Sequence, residues 1–290
     1  DNADRFPNDD TETIDTDNDG MGDNADAFPN DGTETTDTDA DGVGDNLDLY
    51  PTDEGRSIAD GVDADNDGID DNIDIDDNAN GYIDIYTLDE LNNVRNNLTG
   101  NAYNNGNGDI ALGCGDGSLI TVCSGYELMN DLNFDENNDD LENDSYNTGE
   151  GWAPIGDASA SFESEFEGNN FTIYNLYINN SSLIDNGVGL FGEGNDITIS
   201  NLHITGSITA QSDLMGALVG NLTASIANTI HNVSFIGDIT VSDENGSGYY
   251  GGLVGFGEIT NISDCYVNVD LDAQKYAGGI AGQLISDSSV

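Results

Sequence analysis

Positive charge is almost missing from this chain. Four Lys and Arg stand against 58 Asp and Glu in 290 residues, a formal net charge of -54. Repulsion on that scale excludes nucleic acid and anionic membrane surfaces as partners. Multivalent cations are the natural counter-charge. Histidine is nearly as scarce: His203 and His231 are the whole supply, too little for a zinc centre. Neither H-E-x-x-H nor a nucleophilic-triad signature is present. A lyase acting on acidic sugar needs a basic residue at the reacting carbon, and Arg5, Arg56, Arg95 and Lys275 are scattered. The sequence is therefore read as a non-enzyme. No apolar run reaches 18 residues, so no membrane span is expected. No signal peptide is visible. The sequence opens inside one repeat (DNADRFPND) and closes inside another (GGIAGQLISDSSV), so it reads as a piece of something longer.

Cysteine is limited to three residues. Cys114 and Cys123 bracket GCGDGSLITVC and read as one disulfide in an oxidising compartment; three free buried thiols is the alternative. Cys265 falls in a strand-like run.

What the chain does have is aspartate at a fixed spacing. Asp15, Asp17, Asp19, Asp23 and Asp26 form one set, with Gly20 sixth in the loop. Asp37, Asp39, Asp41, Asp45 and Asp48 repeat it around Gly42, and Asp63, Asp65, Asp67, Asp71 and Asp74 around Gly68. Oxygen ligands at positions 1, 3, 5, 9 and 12 with glycine at 6 match a calcium loop, and position 7 (Met21, Val43, Ile69) offers a carbonyl. Hard oxygens in this number suit Ca²⁺ over Zn²⁺ or Mg²⁺. An EF-hand would need flanking helices. The links here, AFPNDGTETT and LYPTDEGRS, are too short and polar for them. An aromatic precedes proline at Phe6-Pro7, Phe28-Pro29 and Tyr50-Pro51, which predicts an extended link with one packed ring.

Residues 1–75 resemble thrombospondin type 3 repeats, whose D-x-D-x-D-G-x-x-D-x-x-D core stands here three times, without that family's cysteines. The resemblance implies several calcium ions inside the fold and makes Asp9, Asp31 and Asp53 further ligands. Energetics agree. Ordering a 22-residue unit costs on the order of 20–40 kcal/mol of backbone entropy, and burying one aromatic and one aliphatic side chain returns only about 3–6 kcal/mol. Ion ligation must supply the rest. A solvated acidic linker is the bland alternative, but it would not keep glycine sixth three times.

A looser fourth loop follows, with Asp76, Asn78, Asn80 and Asp84 as ligands and Thr87, a poor one, at position 12. Thr87 and Glu90 form a capping box for a helix over 87–98, with Leu88, Leu91, Val94 and Leu98 on one face. DENNDD at 135–140 lacks glycine and is read as a solvated loop.

From residue 170 two patterns alternate. The first is IYNLYI (173–178), ISNLHI (199–204), IHNVSF (230–235) and ISDCYV (262–267). The second is GLFG (189–192), ALVG (217–220), GLVG (252–255) and GIAG (279–282), both at intervals of roughly 26–36 residues. Short strands with alternating faces cannot bury themselves singly but can as stacked rungs. That predicts a right-handed parallel β-helix or solenoid. Leu176, Leu202, Val233 and Cys265 would form a core column, and Asn175, Asn201, Asn232 and Asp264 an outer or turn ladder. Residues 150–290 resemble bacterial GLUG-repeat proteins, which implies a large bacterial surface protein. Trp152 is read as packing on the first rung, with sugar stacking as the alternative.

The fold expected is mainly β: calcium-loop repeats over 1–85, a capping helix and disulfide loop over 86–150, and a β-helix over 151–290. The expected function is a calcium-stabilised structural segment of a secreted bacterial cell-surface protein, in adhesion or extracellular filament assembly. Its expected partners are calcium, further copies of itself, or surface glycans and proteins. A carbohydrate-binding module of a larger extracellular enzyme is the second reading.

Overall fold

The computed structural model describes residues 5–6, 11–38, 44–46, 75–76, 78, 80–100, 114, 123–135, 146–180, 186–242, 248–273, 276–286 and 288–290. The chain divides into two compact units, Asp1–Ala79 with Ala111–Leu119, and Asn80–Ile110 with Ile120–Val290.

The described residues of the first unit form turns and bends, with no helix or strand. The link from the first aspartate loop to the second is turned, where Phe28-Pro29 had predicted an extended backbone. It makes two successive turns, closed by Asp31 N–H to Phe28 O at 2.9 Å and Glu34 N–H to Asp31 O at 3.0 Å. Pro29 occupies the second position of the first turn, where its fixed φ is favoured. Phe28 is half-buried.

The second unit is a parallel β-solenoid with about four turns in its C-terminal part. It starts at β1 (Tyr82–Ile85), followed by the one helix of the described residues, α1 (Leu88–Asn93), which runs into a 3₁₀ turn at Val94–Asn96. The capping box is present: the Thr87 side chain accepts from Glu90 N–H at 3.2 Å and Glu90 accepts from Thr87 N–H at 2.9 Å. Leu88, Leu91 and Val94 are buried. β2 (Gly125–Leu128) and β3 (Leu132–Asn133) come next. The first turn then holds β4 (Glu165–Glu167), β5 (Thr172–Asn180) and β6 (Phe191–Asn195). The second holds β7 (Thr198–Ala210), β8 (Leu214–Met215) and β9 (Val219–Thr223), and the third β10 (Asn228–Val241), β11 (Tyr249–Gly251) and β12 (Val254–Glu258). The fourth holds β13 (Thr260–Ser263), β14 (Tyr266–Asp272), β15 (Ala277–Gly278) and β16 (Ala281–Ile285). The long sheet runs β1-β2-β4-β7-β10-β13, with β5 on β7 and β14 on β10; the others run β15-β11-β8 and β16-β12-β9-β6.

Register explains the core. Phe166, Ile199, Ile230 and Ile262 stack as one column, and Ile178, Ile208 and Ile239 as another. Phe191, Val219 and Val254 line up in the glycine-flanked motif. All are 3% exposed or less, and each such side chain contributes about 1.5–3 kcal/mol. One expected column differs. Leu202 does stack on Val233, but Leu176 faces Gly206, because the register of β5 on β7 slips between Ile173 and Leu176. Ile173 lies opposite Ile204, so the first copy of the motif is displaced along its neighbour. Cys265 is half-buried rather than core.

The asparagine positions are bends. Asn175, Asn201, Asn232 and Asp264 all have left-handed backbones, φ 58, 53, 51 and 54. Asparagine tolerates this conformation better than most residues. Asn232 Nδ2 donates to Asn201 Oδ1 at 2.8 Å, a true ladder step, while Asn175 Nδ2 reaches Asn133 Oδ1 instead.

Candidate metal centre

The first aspartate loop closes as its spacing requires. Gly20 has φ 103, a conformation open to glycine alone at little cost. One ligand oxygen from each of Asp15, Asp17 and Asp19 lies within 4.8 Å of the other two. Among the described residues this is the group of three acids so arranged. The side chains are held by the loop's own backbone. Asp15 Oδ1 accepts from Asn18 N–H at 2.7 Å, Asp17 Oδ1 from Asp19 N–H at 3.3 Å, and Asp19 Oδ1 from Met21 N–H at 2.7 Å. The second oxygens of Asp17 and Asp19 are buried without a hydrogen-bond partner. Asp15 Oδ2 accepts from Arg5 at 3.0 Å. The Asp17 carboxyl is pushed above the ordinary aspartate range, by desolvation first and by the charges of Asp19, Asp26 and Asp15, against the bond from Asp19 N–H.

Positions 9 and 12 behave differently. Asp23 accepts from Thr16 N–H and Oγ1, both at 2.7 Å, so both its oxygens pin the loop. Asp45 does the same with Thr38, at 2.8 and 2.7 Å, and takes Thr36 Oγ1 at 2.9 Å. These bonds, the Thr38 hydroxyl foremost, hold the Asp45 carboxyl below its usual range. Asp26 is buried and accepts from Phe28 N–H at 2.8 Å. Asp31 is engaged by Thr33 N–H and Oγ1.

Two carboxylates were not anticipated. Glu12 and Glu34 are 6% and 2% exposed, deeper than Asp15 at 9% and Asp26 at 8%. Glu12 Oε2 accepts from Asn24 N–H at 3.2 Å, and Glu34 Oε2 from Asn46 N–H at 3.0 Å. Each occupies the space a side chain at loop position 8 would take. A Cβ on Gly22 would stand 2.1 Å from Glu12 Oε2, and one on Gly44 2.2 Å from Glu34 Oε2. Glu34 Oε1 is buried without a hydrogen-bond partner.

Of the second loop, Asp37 is half-buried; Asp39, Asp41, Val43 and Asp48 lie outside the described residues, as do Asp63, Asp65, Asp67, Ile69, Asp71 and Asp74 of the third. In the fourth, Asp76 and Asp84 are buried while Asn78 is exposed. Asn80 Oδ1 accepts from Tyr82 N–H, and its Nδ2 donates to Glu127 Oε1 at 2.7 Å. Glu127, 2% exposed, lies beside Asp84 in the β1–β2 register. Cys114 and Cys123 are disulfide-bonded and buried, and Cys265 is a free thiol.

The histidines make local contacts, His203 Nδ1 with Ser234 Oγ at 2.8 Å and His231 Nδ1 with Ser263 Oγ at 3.0 Å. Trp152 is 1% exposed, with Nε1–H donated to Leu190 O at 3.0 Å and its ring packed edge-on against Phe134 and Tyr146. No face of it is left for a sugar. No family model, curated protein or solved structure matches this chain.

Proposed function

We propose that this chain is a calcium-stabilised structural segment of a secreted bacterial surface protein, serving adhesion or filament assembly. The carrying observation is the convergence of Asp15, Asp17 and Asp19, of which Asp17 and Asp19 each keep one oxygen buried without a hydrogen-bond partner. Such oxygens in a chain of charge -54 need a cation rather than a proton donor from the protein. Asp15, Asp17, Asp19 and Asp26 would hold it, with the Met21 carbonyl. Calcium accepts six to eight oxygens at about 2.3–2.6 Å in flexible geometry, which suits ligands from one short loop. Its role is charge neutralisation and ordering. Extracellular modules bind it at about 10⁻⁴–10⁻³ M; in millimolar calcium each site then adds only about 1 kcal/mol, and several together make a switch. The disulfide supports an oxidising compartment.

Calorimetric titration of the whole chain with calcium tests this. The Asp17→Asn/Asp19→Asn variant should bind at least one ion fewer per chain. Equal stoichiometry and affinity in both proteins would refute the assignment.

A further inference from the structure

We propose that the solenoid carries a binding groove for an uncharged saccharide chain, formed where the register slips between β5 and β7. This does not rest on the calcium reading. Three steps along β5, Ile173 to Leu176, match two along β7, Ile204 to Gly206. The extra residue is absorbed by Asn175, whose left-handed backbone (φ 58) leaves it exposed. Its N–H donates to Thr205 Oγ1 at 3.1 Å, which fixes the bulge. Bulges of this kind re-aim side chains and open local hollows. Here the hollow is a groove of about 380 Å³, within the range of small-ligand clefts, about 300–1,000 Å³.

The lining selects the chemistry. Asn147, Asn175, Thr205 and Ser207 bring amide and hydroxyl groups, which donate and accept. Asp135 and Asp238 add carboxylates, and Asp135 Oδ1 is buried without a hydrogen-bond partner. Tyr177 lines the groove as well. On the next strand, Ile236 lies in register with Thr205 and is 47% exposed, an apolar surface beside the polar one. Sugar rings carry that combination: hydroxyls around the rim that can donate to carboxylates, and C–H faces that pack on aromatic and aliphatic groups. Among the described residues no cation lines the groove, so uronates, sulfated sugars and phosphates are repelled. A free amine would satisfy the carboxylates but leaves the amides, hydroxyls and apolar wall without a role.

The test is ligand-observed saturation-transfer NMR with calorimetry on the full chain in calcium. The probes are cellotetraose, maltotetraose, mannotetraose and the tetramer of N-acetylglucosamine, with tetragalacturonate and spermidine as charged controls. At least one neutral tetrasaccharide should bind and tetragalacturonate should not. Asp238 and Ser207 are exposed, so changing them leaves folding intact, checked by an unchanged melting curve. Asp238→Ala should weaken binding about tenfold, the loss expected for one hydrogen bond to a charged group. Ser207→Trp should abolish binding by filling the groove. The proposal is overturned if no neutral probe binds at millimolar concentration. Binding indifferent to both substitutions, or binding of spermidine alone, overturns it equally.

Discussion

Glu12 and Glu34 are the residues on which the account of the calcium loops turns. Both stand three positions ahead of a loop's first aspartate, and both are buried where ordinary burial would be costly. Their signal was present in the sequence as the second glycine of DGMGD and DGVGD. Gly20 is explained by the turn, but Gly22 and Gly44 are explained only by the glutamate that fills their side-chain space. Nothing local in the sequence connects residues 10 apart in an irregular segment, so that pairing was not legible. The position-9 aspartates show the converse: spacing marked Asp23 and Asp45 as ligands, while Thr16 and Thr38 at position 2 were the unread sign that both oxygens are engaged. The pairing makes a prediction. Gly22→Ala should displace the Glu12 carboxylate and cost about 1–3 kcal/mol in calcium. In a Glu12→Ala background the same substitution should cost little more, and a thermal-melt double-mutant cycle measures the difference. Additive effects would separate the glycine from the glutamate.

At the scale of elements, the motifs from residue 170 fall on strands of two of the three sheets, because a two-residue period with buried aliphatics has few other uses, while the short strands β8, β11 and β15 carry no motif. Ile199, Ile230 and Ile262 do stack. The capping helix follows equally from Thr87 and Glu90. The failure was at β5, where identical motif letters imposed identical register. The slip depends on which neighbour IYNLYI meets, a long-range matter that the motif does not encode. Between turns, Asn228 does what no motif marked. It is fully buried; its Oδ1 accepts from Ile197 N–H at 3.1 Å, and its Nδ2 donates to Thr223 O and Glu258 O, both at 3.0 Å. One side chain thus ties three successive turns. Asn228→Ala removes all three of these bonds, Glu258 O keeping the Thr260 hydroxyl at 2.9 Å, and should destabilise the solenoid by about 2–4 kcal/mol, read as a lowered denaturation midpoint with unchanged slope. A loss below about 0.5 kcal/mol would show that the turns hold without it.

For the whole molecule, the two units are stabilised by different physics. The solenoid buries stacked columns of Ile, Leu, Val and Phe. The aspartate repeats form no regular hydrogen-bonded element among their described residues and bury carboxylates instead. Composition made this contrast legible: acids dominate before residue 85 and aliphatics after residue 110. Metal removal should therefore act on one unit and spare the other. The most direct measurement is light-scattering mass and hydrodynamic radius of the full chain, in millimolar calcium and in excess EGTA, with far-UV circular dichroism on the same samples. The account predicts a larger radius per chain in EGTA with the β signal of the solenoid retained. Unchanged mass and radius in the two conditions would contradict it, leaving the aspartate loops as a solvated linker.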